Sequence, residues 1–186
     1  MAEYKYNDKT QIKPHFNVQE FKCKCGGAHN IIINPELPSK LETLYSTLKC
    51  SKIIINSGHR CITHDKAVGG SGSGKHVTGD AADIRCYDKD NKIISSKIVC
   101  CAAQDIGFGG IANIDQTFTA THLDVRTSNF WKGDETITSA YSLTNNFYDY
   151  YKLSKKDVYP DTNKKNSIEV TVKIGDETYR GEIYSE

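Results

Sequence analysis

No stretch of this 186-residue chain approaches the ~20 consecutive apolar residues that cross a bilayer. Its start, MAEYKYNDKTQIKPHF, lacks the apolar centre of a secretory leader. An excess of one charge is missing too. The 24 Lys and Arg nearly balance the 23 Asp and Glu, for a formal net charge of +1. That gives no strong pull toward nucleic acid or anionic lipid, and the pairs Lys155–Lys156 and Lys164–Lys165 read as solvated surface. Seven cysteines cannot all pair, which argues against a complete disulfide framework. Cys23 and Cys25 could join Cys50 and Cys61 in a structural zinc site or in bridges. Their spacing is C-x-C, however, not the C-x2-C of the usual zinc knuckle, so the reading adopted is reduced, partly buried thiols in a protein made in the cytosol. The run GGSGSG at 69–74 lacks the G-x4-G-K-[ST] spacing of a phosphate loop, which excludes that site.

The length suits one domain with a small appendage and is enough to bury a real core. The first 20 residues read as polar and mostly irregular, with a short capped turn at Asn17, Glu20 and Phe21. Ile31 to Ile33 reads as a short strand. Leu41, Leu44, Tyr45 and Leu48 recur at helical spacing after Pro35 and Pro38. Lys52 to Asn56 reads as a buried strand, 62–68 as a short helix, and 81–85 as a strand. Residues 95–105 carry a helical stripe, and Thr117 to Val125 forms a threonine-rich strand. The expected class is α+β, a small and mostly antiparallel sheet with flanking helices. Beyond Trp131 the character changes: Tyr141, Phe147, Tyr148, Tyr150 and Tyr151 crowd one segment. IEVTVKIGDETYRGEIY, 168–184, then reads as a hairpin about Gly175–Asp176 that packs on the main body. The expected division is 1–132 and 133–186.

The chemistry concentrates in KHVTGDAADIRCYD, 75–88. His76 and Asp83 are both good ligands for zinc, and the small residues between them allow close approach. A third ligand comes from TATHLDVR, 119–126. On a strand His122 and Asp124 share one face, while Thr121 and Leu123 turn into packing. His76, Asp83 and His122 supply two nitrogens and a carboxylate, and the fourth tetrahedral position is left for water, as in catalytic zinc sites. His15, His29, His59 and His64 read as histidines satisfied by ordinary hydrogen bonds.

These residues also carry a resemblance. INSGHRC (55–61), HVTGDAAD (76–83) and THLDVR (121–126) resemble the motifs of the zinc D-alanyl-D-alanine metallopeptidases, which include L-alanyl-D-glutamate endolysins and share the hedgehog fold. The likeness runs in order over roughly residues 14 to 132 and is greatest to short prophage and Firmicute cell-wall peptidases. It implies one zinc per chain on His76, Asp83 and His122, with Arg60 binding substrate or offsetting oxyanion charge. His59 stands where that family usually has tyrosine, and Gly74 where it has serine. Neither acid–base position ahead of the last histidine is kept, since Thr119 and Ala120 stand there. Asp124 is therefore the expected base, with a role in orienting a ligand histidine or anchoring Arg126 as its alternative; Asp80 ranks behind it.

The implied activity is hydrolysis of peptidoglycan stem peptides, at D-Ala-D-Ala or L-Ala-D-Glu, by a monomer with no nucleic-acid or membrane partner. Such a protein is made in the cytoplasm without a signal peptide and acts at the bacterial cell wall, as a prophage endolysin does. The alternative is an inactive zinc-containing module, in which Arg60 and the aromatics bind wall or partner, or a phage-particle component docked through 133–186.

Overall fold

The computed structural model describes residues 1–137, 143 and 146–160, together with the backbone of 167–174 and 177–184. The N-terminal segment is more ordered than its polarity suggests. It holds β1 (Ala2–Tyr4), β2 (Gln11–Lys13) and β3 (Phe16–Asn17), followed by a 3-10 turn at Val18–Phe21. Asn17 and Glu20 cap that turn reciprocally: the Asn17 N–H donates to Glu20 Oε1 at 2.8 Å. Phe16, Val18 and Phe21 are buried, so three apolar residues anchor a segment that reads as irregular. Strand β4 (Ile31–Ile33) pairs antiparallel with β1. Helix α1 (Glu36–Thr47) then buries Leu37, Leu41 and Leu44 on one stripe.

Five further strands make the central sheet: β5 (Lys52–Ser57), β6 (Ala81–Tyr87), β7 (Gly110–Asn113), β8 (Thr121–Asp124) and β9 (Trp131–Asp134). Their spatial order is β5-β6-β8-β7-β9, antiparallel throughout except for the parallel pair β7 and β9. Strand β5 is an edge, which corrects the expectation of a fully buried strand: Ile53 and Ile55 are inside, but Ile54 is 40% exposed. The threonine-rich strand starts later than its composition suggests. Asp115 accepts the Thr119 N–H at 2.7 Å and holds residues 115–119 in a turn, so β8 begins at Thr121. Helix α2 (Ile62–Ala67) follows β5, and α3 (Ser96–Ile106) ends on Gly107, whose φ of 84° is the left-handed value glycine adopts without strain.

Alternation along the strands sorts residues onto two faces. Ala82, Ile84, Ile111 and Leu123 point toward α1 and α3 and are buried in the core. Asp83, His122 and Asp124 take the opposite face. Beyond the sheet, α4 (Phe147–Tyr151) and α5 (Lys155–Val158) pack on α3. Phe147 and Val158 belong to the same core. Tyr150 and Tyr151 donate to Asp134 Oδ2 at 3.3 and 3.2 Å, and Tyr148 and Tyr159 donate to Asp105 at 2.5 and 2.7 Å. Four of the aromatics expected at 141–151 are thus engaged in packing or in hydrogen bonds, part-buried for Tyr150 and Tyr151 and exposed for Tyr148, which commits them within the fold. A boundary after residue 132 would cut through β9.

The expected hairpin is present as β10 (Ser167–Ile174) and β11 (Glu177–Tyr184), antiparallel with Ile174 opposite Glu177. Its packing on the body, and Tyr141, lie outside the described residues. No helix among the described residues is long and apolar enough to cross a membrane.

Because Phe147 is fully buried against α3, Phe147→Ala is expected to cost about 3–5 kcal/mol. Urea unfolding of the whole chain would measure this; a loss below 1 kcal/mol, roughly the scale of a surface substitution, would show that α4 lies outside the cooperative core.

Candidate metal centre

Register builds the centre. Across β6 and β8, Asp83 is paired directly with His122, and the same row continues to Ala112 on β7 and Gly133 on β9. Two bulky ligands are thus followed by two small residues, which leaves space above the sheet. His76 reaches the row from the loop after the glycine-rich segment. Its Nε2 lies 3.2 Å from Asp83 Oδ1 and 3.3 Å from His122 Nδ1, and those two atoms are 2.9 Å apart. Donors held tetrahedrally at about 2.0–2.1 Å from one zinc ion sit roughly 3.3 Å from each other. The three expected ligands therefore come together at separations that fit a single ion. Nitrogen, nitrogen and carboxylate oxygen are also the donor types such an ion takes.

Outer contacts fix which atom of each ligand faces the centre. His76 Nδ1 donates to the Gly58 carbonyl at 2.8 Å, which leaves the Nε2 lone pair directed inward. Asp83 Oδ2 accepts from Arg60 Nη2 at 2.6 Å while Oδ1 turns to the histidines. His122 presents Nδ1 to the centre, and its Nε2 lies 3.4 Å from Asp124 Oδ2. Burial of the His122 ring works against protonation, but the hydrogen bonds with Asp124 and Asp83 prevail and raise its pKa to about 9. Burial likewise disfavours charge on Asp83, yet His122 and His76 hold that carboxyl far below the ordinary range. A proton and a metal ion thus compete for the same nitrogen.

Asp124 takes the position of its alternative reading, beside a ligand histidine and bound to Arg126. It sits on the far nitrogen of His122, is fully buried, and is gripped by Arg126: Nε donates to Oδ1 at 2.9 Å and Nη2 to Oδ2 at 2.5 Å. The Arg126 amide adds a bond to Oδ1 at 3.0 Å. A carboxylate held this way orients His122 but does not reach the open side of the centre. Gly110 makes room for it, because a Cβ there would fall 2.1 Å from Asp124 Oδ2. Asp80 is also accounted for elsewhere, accepting from Asn34, Lys75 and Thr78.

The open side is a pocket of about 510 Å³ lined by Arg60, His76, Asp83, His122, Trp131 and Glu135 among others. Glu135 was not anticipated. It follows β9, where Trp131, Gly133 and residue 135 alternate onto the ligand face, and its N–H donates to the Asn113 carbonyl at 2.9 Å. Burial raises its pKa above that of an ordinary glutamate, and it senses the charges of His122, Asp83 and Arg60. The sequence signal was the alternation through WKGDE, legible only once β9 is known to pair with β7. Arg60 lies where expected, at the pocket wall, but it is tethered: Nε to Ser57 Oγ at 2.8 Å and Nη1 to Asp65 Oδ1 at 3.4 Å. Buried Asp65, also missed, accepts the Gly72 N–H at 2.9 Å and so shapes the glycine-rich rim. Among the cysteines, Cys50 does not join Cys23, Cys25 and Cys61; it is hydrogen-bonded to Cys86.

A family model described as Peptidase M15 matches residues 14–124, a span that contains His76, Asp83 and His122 and stops short of Glu135. No curated protein matches the chain. Since Asp124 acts through His122, Asp124→Asn is expected to weaken metal binding by about 10–100-fold while leaving the activity intact at saturating metal. Chelator competition and kinetics in excess metal measure the two effects; a loss that metal does not repair would return Asp124 to the chemistry.

Proposed function

The chain belongs to the peptidase M15 family, and from that premise we propose that it is a zinc-dependent peptidase that hydrolyses peptidoglycan stem peptides. The observation that carries this reading is the convergence of His76, Asp83 and His122 on the floor of an open pocket that is also lined by a solvent-exposed glutamate, Glu135, and a tethered arginine. One zinc ion at the pocket would be held by those three residues; when bound it lowers the pKa of a water toward neutrality and polarises a carbonyl.

The chain's own residues supply the rest. Glu135 takes the proton of the attacking water and returns it to the leaving amine, and its raised pKa suits a group that must do both near neutrality. Arg60 spends its Nε and one hydrogen of each terminal nitrogen on Ser57, Asp65 and Asp83. The remaining hydrogens of the terminal nitrogens can hold a substrate carboxylate or offset charge on the tetrahedral intermediate. Trp131 offers an apolar wall beside His122, with ring centroids 5.9 Å apart. The inactive-module alternative drew on the absence of an acid–base residue near the last histidine; the presence of Glu135 in the pocket lining supports the catalytic reading over it.

The substrate fits a wall peptide cut at D-Ala-D-Ala or at L-Ala-D-Glu, with the protein acting as a monomer on the bacterial cell wall after release by a prophage-type lysis. Digestion of purified peptidoglycan separates the two bonds: free D-alanine marks the carboxypeptidase, and new glutamate amino groups mark the endopeptidase. Glu135→Gln is expected to lower kcat by about 10²–10⁴-fold with the metal retained, and unchanged kcat would remove Glu135 from the mechanism. The base must be ionised, so activity is present above its pKa and lost as pH falls through it. With the folded pKa raised, the acid limb of kcat/KM should lie above the ordinary glutamate value of about 4.3.

A further inference from the structure

Three cysteines meet away from the pocket floor. Cys23 and Cys25 follow the Val18–Phe21 turn, and Cys61 precedes α2. Their sulfurs all lie within 4.8 Å of one another. Cys25 Sγ and Cys61 Sγ are 3.9 Å apart, and thiolates bound tetrahedrally at about 2.3 Å sit roughly 3.8 Å from each other. Each sulfur also accepts a backbone N–H at 3.4 Å: Cys23 from Cys61, Cys25 from Gly27, and Cys61 from His64. A disulfide could use only two of the three and would leave the third sulfur with its amide donor and no partner.

We infer that Cys23, Cys25 and Cys61 form a second zinc site, separate from the His76, Asp83 and His122 centre and structural in role. Two imidazoles flank the ligating segments in the chain. His29, four residues after Cys25, lies over Gly27, where a Cβ would fall 2.5 Å from its Nε2. His59, two residues before Cys61, is buried with an Nδ1 that has no hydrogen-bond partner. Among the described residues only the three sulfurs make up the close group, so the fourth ligand must swing in; we assign it to His29, which sits on the same loop as two of the thiolates. Three thiolates and one imidazole make a closed donor set that zinc takes for structure and not for catalysis.

The position explains what the ion would do. It joins two segments that already touch closely: the His59 N–H donates to the Phe21 carbonyl at 2.8 Å, and a Cβ on Gly58 would fall 2.6 Å from Phe21 Cα. Gly58 supplies the carbonyl that orients His76, and Arg60 follows two residues later. A thiolate-held ion therefore pins the strand-to-helix loop on which one ligand and the pocket arginine depend.

The test uses the full chain, purified with reductant and loaded with zinc alone, then with cobalt(II). Elemental analysis should find a second equivalent of zinc that survives His122→Ala and disappears in Cys25→Ser. Cobalt bound to His122→Ala should show intense thiolate-to-metal charge transfer, a signature that nitrogen and oxygen ligands do not give. His29→Ala should keep that band and change the ligand-field spectrum. If Cys25→Ser fails to fold, the cobalt spectrum of His122→Ala decides alone. Zinc that vanishes entirely in His122→Ala, cobalt without a thiolate band, or a thiol titration short of the seven cysteines by one bridged pair would each overturn the site. None of these readouts depends on peptidase activity, so this assignment can fail while the catalytic reading stands, and the reverse.

Discussion

Asp83 and His122 face one another because β6 and β8 pair in a single register, and a slip of one residue in either strand would turn its ligand into the helical layer. The apolar residues that lock this register sit between the ligands: Ala82 and Ile84 on β6 and Leu123 on β8, all fully buried. Core packing and metal chemistry are thus two faces of the same strands. The hydrophobic effect sets the alignment, and the ligands inherit it. The rest follows from what stands beside the pair. Ala112 and Gly133 continue the row without filling it, and the space they leave becomes the pocket.

Around the three donors the protein arranges polar groups that act on the far side of each ligand. A carbonyl fixes the His76 tautomer, an arginine occupies the outer oxygen of Asp83, and a carboxylate takes the outer nitrogen of His122. None of these groups needs to touch an ion to decide how one is held. Burying Asp124 and Asp83 is costly unless each is fully hydrogen-bonded. Here the cost is offset by Arg126 and Arg60, each tied in turn to further groups. The site's rigidity comes from this chain of commitments.

Much of this was legible in the sequence. The ligands were readable because their surroundings are local: HVTGDAAD and THLDVR each place a donor within a short element whose period dictates its face. Helices α1 and α3 followed from apolar spacing in the same way. The role of Asp124 was not readable, because sharing a strand face with His122 does not say which ring nitrogen it meets. Glu135 was hidden by topology. Its strand pairs parallel with β7, a non-local partner, and no periodicity within residues 131–135 reveals that. The N-terminal strands were hidden by dilution, with Phe16 and Val18 too few to give a pattern among polar neighbours. The tyrosines after residue 146 looked like a binding surface because composition does not distinguish an exposed ring from one whose hydroxyl meets Asp105 or Asp134.

The complete burial of Asp124 beneath Arg126 also bears on ionic strength. Mobile ions screen exposed charges over a Debye length of about 8 Å at physiological salt, but a pair with one partner fully buried and the other largely so is screened less. The force that aims His122 is therefore set by the fold and not by the medium. The more exposed pair Lys75–Asp80, in the loop that carries His76, has no such shelter. As salt rises, the two histidines of the centre part company: one keeps its aim, while the other loses some of the electrostatic bracing of its loop.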